Sequence, residues 1–164
     1  MTNTDPDIRE KAEEIIFGMW DTLTEDERKE ISEHLTIEEF QKNEYIYKEL
    51  EIPKCIKWLI SGKVKICKSG VTGRDQILRT IVPSEIFSFR AYFANDDYLT
   101  SALSFGHSVV ASVPMTIIDK LLHTNIQVCR KLIKQLAKEL GKADSRTVSL
   151  TQKHIRGRLA ESLI

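Results

Sequence analysis

Leu59-Ile60-Ser61-Gly62-Lys63-Val64-Lys65-Ile66 sets two short aliphatic runs on either side of a Ser-Gly pair. Runs of this length and β-branched content favour strands, and a glycine between them supplies the positive-φ residue a tight turn needs. The same grammar extends outward. Tyr45-Ile46-Tyr47, Ile56 to Ile60, Val64 to Cys67, Gln76 to Val82, Ile86 to Phe89 and Ser108 to Val113 all read as short strands, with Ser69-Gly70 and Thr72-Gly73 as further positive-φ turns. Between Ile37 and Val113, closely spaced short strands predict a sandwich, jelly roll or small barrel, since one flat sheet of this size would leave open edges.

Helical periodicity brackets this β unit. From Asp7 to Leu35 the pattern is helical, and Thr24 with Glu27 forms a capping box ahead of a segment that turns Ile31 and Leu35 inward. After Val113, Thr116 is expected to cap a short helix through Leu122, and a much longer helical segment begins near Asn125. Heptads counted from Ile126 put Ile126, Ile133, Leu140 and Thr147 at the a positions and Cys129, Leu136, Ala143 and Leu150 at the d positions, all apolar except Thr147. A strict 3.5-residue stripe is a seam rather than the wider face of a domain helix, so it predicts a parallel homodimer through this helix. Leu132 and Ala137, flanking the seam, are expected to pack on the helix's own domain. In a parallel register Glu139 would face Asp144 of the partner subunit, a like-charge pair.

Composition removes several function classes. The 164 residues carry 24 Lys plus Arg and 24 Asp plus Glu, so no net field draws the chain to nucleic acid or to an anionic membrane. The polar start and the lack of an apolar stretch near the ~20 residues of a membrane span point to a cytoplasmic protein with no membrane partner. Cys55, Cys67 and Cys129 lack CxxC spacing and read as reduced thiols rather than ligands of an iron–sulfur cluster. His34, His107, His123 and His154 form no His-x-His pair, which speaks against a cupin-like metal enzyme, and none lies in a motif that fixes a haem ligand. No Gly-x-Ser-x-Gly elbow or phosphate-binding glycine loop occurs, so catalysis is not expected.

Helical entry, a short-stranded β unit and a long dimer helix, in that order, resemble the sensor of the CRP/FNR family of transcription regulators. Phe40-Gln41-Lys42-Asn43-Glu44-Tyr45-Ile46 resembles the family's entry strand and turn. Leu59 to Ile66 resembles its strand–glycine–strand junction, with Gly62 as anchor. Pro83 to Phe93 lies where the family carries its phosphate-binding cassette, and Gly157-Arg158-Leu159-Ala160-Glu161-Ser162-Leu163 resembles the lead into the DNA-binding domain. The resemblance implies an α+β, mainly-β chain: a double-stranded β-helix (jelly-roll) sensor over 1–123 with N-terminal helices, a dimerisation helix over 124–155, and the start of a hinge over 156–164. It further implies an unknown small effector, and DNA contact only through a helix-turn-helix domain missing from this chain. A stand-alone or fused regulatory module of the same fold, as in a kinase or channel, is the other reading.

In the family's cyclic-nucleotide binders the cassette uses a Gly-Glu pair and an Arg-Ser pair around the ribose and cyclic phosphate. At those positions this sequence resembles the family in place only, reading Ser88-Phe89 and Thr100-Ser101. Carboxylate and guanidinium are both gone, and each charge-assisted hydrogen bond so lost is worth ~1.5–3 kcal/mol. Where the cyclic-AMP binders place adenine contacts on the long helix, Ala143 and Asp144 stand here. Cyclic AMP is therefore not the expected effector. The resemblance makes Ser88, Phe89, Arg90, Ala91, Tyr92, Thr100, Ser101, Ala143 and Asp144 the candidate pocket residues, with Arg90 as a cation for a different anionic or carboxylate-bearing molecule or, alternatively, a solvated or internally paired arginine. Leu50, Ser84 and Ser88 occupy positions where relatives have glycine, so loops of different local shape are expected.

Overall fold

The computed structural model describes residues 5–162. The N-terminal helical stretch resolves into two helices, α1 (Pro6–Met19) and α2 (Glu25–His34). Asp5 caps α1 with Pro6 in its first turn. At α2 the capping box forms as expected, with Thr24 Oγ1 accepting from the Glu27 amide at 3.3 Å and the Thr24 amide donating to the Glu27 carboxylate at 2.9 Å. Ile31 and Leu35 are buried. Between the helices Trp20 is buried edge-on against Trp58, with ring centroids 5.2 Å apart.

The β unit contains β1 (Thr36–Phe40), β2 (Tyr45–Tyr47), β3 (Cys55–Ser61), β4 (Val64–Ser69), β5 (Asp75–Ile81), β6 (Ile86–Phe87), β7 (Ser101–Ser104) and β8 (Ser108–Pro114). They pair antiparallel in two four-stranded sheets, ordered β1-β8-β3-β6 and β2-β7-β4-β5. Residues of both sheets meet in one core: Leu59, Phe87 and Val110 from the first, Tyr47, Val64, Ile66, Ile81 and Ala102 from the second. The α+β, antiparallel architecture stands. The described strands form these two sheets and not one closed barrel. β6 stops at Phe87, two residues shorter than its sequence suggests, where Ser88 takes φ 73° and leaves the extended conformation.

Glycines and their substitutes shape the turns. Gly62 (φ 90°) joins β3 to β4 so closely against the β7–β8 turn that an added Cβ would lie 2.4 Å from the His107 carbonyl and from Ser108 Oγ. Gly73 also has positive φ, at 75°, whereas Gly70, expected to share it, does not; its amide donates to the Arg74 carbonyl. Contrary to the expectation of altered loops, Leu50, Ser84 and Ser88 all adopt the left-handed conformation a glycine would favour, with φ of 67°, 72° and 73°.

After β8, α4 (Met115–Thr124) begins one residue before Thr116. Pro114 occupies the cap position and no side chain caps the helix; the Met115 amide instead donates to the Lys54 carbonyl at 2.8 Å, anchoring the start to the loop before β3. The final helix, α5 (Ile126–Ser162), is one uninterrupted element that continues past 155, where a hinge was expected. The chain divides into two compact units between Asn125 and Ile126. Among the described residues no helix is long and apolar enough to cross a membrane.

Candidate functional site

The stretch from Ser84 to Ser101 links the two sheets, running from β6 through α3 (Arg90–Phe93) to β7. Its backbone is set by the left-handed Ser88, which ends β6 and turns the chain into the short helix. The Ser88 hydroxyl donates to the Cys55 carbonyl at 2.9 Å. Phe89 is buried at the head of α3 and meets Phe93 edge-on with centroids 6.5 Å apart. Ala91 belongs to the central core. The Tyr92 hydroxyl donates to the Asp119 carboxylate on α4, a bond that raises the tyrosine's pKa. Arg90 is exposed and makes no ion pair among the described residues, so the internally paired alternative, whether with Asp96, Asp97 or Asp144, is not formed.

Two aromatic residues absent from the expected pocket organise it. Tyr98 is buried, stacks on Tyr47 with ring centroids 3.8 Å apart, and joins the same core as Phe87 and Ala91. Burial pushes its phenol well above the ordinary range, so it stays neutral. The only advance signal was its aromatic character inside the polar run Asn95-Asp96-Asp97-Tyr98, which reads as loop.

The other half of the expected pocket is tied down differently. Thr100 is half-buried, while Ser101 Oγ accepts from the Glu49 amide at 3.0 Å. The Glu49 carboxylate takes the Ser69 amide at 2.8 Å and Lys68 Nζ at 3.0 Å, which lowers its pKa. Lys68 Nζ reaches the Leu99 carbonyl at 2.8 Å, and across the same loops the Leu50 amide donates to the Tyr98 carbonyl while the Tyr98 amide donates to the Glu51 carbonyl. Ser101 therefore braces the 48–51 loop. Of the expected pocket residues Ala91 joins the core cluster that holds Tyr98, Ser88 and Phe89 are buried beside it in sequence, and Ala143 and Asp144 lie exposed on α5, in the second unit.

On α5 the a-position residues Ile126, Ile133 and Leu140 are 65%, 60% and 65% exposed, and Leu150 is 58% exposed. Ala143 and Thr147 are exposed too, whereas Cys129 and Leu136 are half-buried, as is Cys55; Cys67 is buried, and all three thiols are free. Val128 and Leu132 are buried and Ala137 is exposed. The histidines stand apart: His34 bonds the Glu30 carbonyl, His123 the Asp119 carbonyl and His107 the Glu39 carboxylate, while the His154 side chain lies outside the described residues. Among the described residues no group of three or more His, Cys, Asp or Glu is placed to hold a metal ion.

The β unit is thus two antiparallel sheets around one core, with the short helix α3 between β6 and β7. The profile of the cyclic nucleotide-binding domain matches residues 37–125. A CRP-like cAMP-activated global transcriptional regulator of Mycobacterium tuberculosis is 23% identical over 126 residues, 77% of this chain and 56% of its own length. This chain thus spans about half the length of the curated relatives it matches. Among solved structures, the sensor domain of the transcriptional regulator DNR from Pseudomonas aeruginosa is similar with a TM-score of 0.71 and 18% identity, covering 82% of this chain and 91% of that one. The Thermus thermophilus catabolite activator protein follows at 0.68 and 17%, covering 81% and 62%. The Toxoplasma gondii PKA regulatory domain, solved with cAMP, has the same fold at 0.63 and 14%, covering 73% and 46%. The chain belongs to the cyclic nucleotide-binding domain family.

Proposed function

We propose that this chain is the effector-sensing and dimerisation region of a CRP/FNR-type DNA-binding transcription regulator that does not respond to cyclic AMP. Its β unit is then a jelly-roll sensor, and α5 carries the dimer seam and the lead into a DNA-reading domain outside this chain. The role is regulatory, not catalytic, and cytoplasmic; neither haem nor an iron–sulfur cluster is its cofactor. The observation that carries the reading is the exposed ridge of Ile126, Ile133, Leu140 and Leu150 on a single long helix. Large apolar side chains at seam spacing, left bare on one helix, gain burial when a second copy supplies the opposite seam.

The effector is an unidentified small molecule. The buried Phe89 and Tyr98 favour an apolar or aromatic body, and exposed Arg90 offers a cation to a carboxylate or other anion. Binding there would shift the crossing of paired α5 helices and so the spacing of two DNA-reading domains.

Light scattering at micromolar concentration tests the seam. Wild type is expected at twice the subunit mass, and Leu136→Glu, which places a charge in the seam, is expected to run as single subunits. Single subunits for wild type, with Leu136→Glu changing neither size nor melting, would contradict the proposal.

A further inference from the structure

The face of the β2-β7-β4 sheet turned away from the core carries cations and rings in one connected patch. Tyr45, Leu103 and Lys65 are aligned across its three strands. At the next level the Phe105 amide donates to the Lys63 carbonyl at 2.8 Å. Lys63 Nζ and Lys65 Nζ lie over the Phe105 ring, 5.5 and 5.6 Å from its centroid, and Lys48 Nζ lies 5.0 Å from the centroid of Tyr45. Asn43 Oδ1 accepts from Lys65 Nζ at 3.1 Å. Both rings stay about half exposed, Tyr45 at 46% and Phe105 at 47%.

These three lysines differ from others in the chain. Lys57, Lys68 and Lys120 each pair with a glutamate, respectively Glu38, Glu49 and Glu30. Among the described residues Lys48, Lys63 and Lys65 pair with no carboxylate; the nearby Glu44 turns its carboxylate back to the Gln41 amide at 2.6 Å. Three cations are thus held in place by rings and an amide, with their charge left unneutralised. Side chains already positioned lose less freedom on meeting a partner, so they suit recognition better than free surface lysines.

We infer that this face docks an acidic, partly aliphatic segment of another protein. Charge complementarity selects carboxylates. Exposed ring edges and lysine stems offer apolar contact to aliphatic side chains beside those carboxylates. A nucleic acid fits less well: lysine ammonium groups already lie over the Tyr45 and Phe105 rings on which bases would stack, and the balanced charge of the whole chain provides no long-range pull on a polyanion.

The test is fluorescence anisotropy of the full chain with a labelled peptide of repeating Asp-Glu-Leu, alongside labelled oligothymidylate and vesicles containing phosphatidylglycerol. Wild type is expected to bind the peptide saturably, more weakly as salt rises, and more tightly than the other two probes. Lys63→Glu with Lys65→Glu is expected to weaken peptide binding roughly tenfold or more, as charge reversal at a contact does. Lys63→Gln with Lys65→Gln, carrying no new charge, keeps the test open if the reversed variant melts early. Lys29→Glu, on α2, is expected to bind as wild type. No peptide binding by wild type, equal binding by both double variants, or tighter binding to oligothymidylate or vesicles would each overturn the inference.

Discussion

Ser84 and Ser88 hold a backbone conformation in which a Cβ costs about 1–2 kcal/mol, yet their consequences differ because their side chains do. Ser84 is exposed and its hydroxyl makes no bond that would be lost, whereas the Ser88 hydroxyl holds the Cys55 carbonyl. Ser84→Gly relieves the strain against a smaller loss of unfolded-chain entropy, so it should stabilise the protein by about 0.5–1 kcal/mol in urea unfolding. An unchanged or lower midpoint would show that the turn is not strained. Glu49 gives the molecule an acid-sensitive brace. Its carboxyl, held below the ordinary value of 4.5 by the Ser69 amide and by Lys68, contributes stability that is complete above that value and lost as pH falls through the folded one. Urea midpoints measured at stepped pH should therefore show wild type losing its advantage over Glu49→Gln in the acid range. A constant difference at every pH would exclude the brace.

A glycine in each of the two units separates an element that demands one from an element that tolerates one. Gly62 combines positive φ with a turn that leaves no room for a Cβ, whereas Gly141 sits in α5 with nothing within 4 Å of where a Cβ would go. Gly62→Ala should lower stability by at least about 2 kcal/mol, while Gly141→Ala should slow amide exchange in α5 by the roughly 1 kcal/mol of helix propensity alanine adds. Equal effects at the two sites would refute the distinction. Sequence alone made Gly62 and the capping box of α2 legible, because both are written in residues a few positions apart. It did not reveal β1 and β7 as separate strands: Thr36–Phe40 and Ser101–Ser104 are short and half polar, and take their strand character from the neighbours they pair with, β8 for one and β2 and β4 for the other. The start of α4 was misplaced for the same reason, since the bond that anchors it comes from Lys54, far away in the chain.

Over the whole molecule, the proposed lack of response to cyclic AMP rests on the Ser84 to Ser101 stretch, where Phe89 and Thr100 are neither carboxylate nor guanidinium. That chemistry was legible in the sequence. The contacts around it were not: the Tyr98–Tyr47 stack, the Ser88 bond to the Cys55 carbonyl and the bond from the Glu49 amide to Ser101 all join distant segments. A cyclic phosphate entering this cassette would meet neutral hydroxyls and a buried phenyl ring, with an exposed arginine as the nearest cation in the turn. Calorimetric titration of cyclic AMP into the full chain is the most direct test of that account. It predicts no saturable heat at concentrations where a cyclic-AMP-binding relative saturates; one-site saturable binding of cyclic AMP would contradict it.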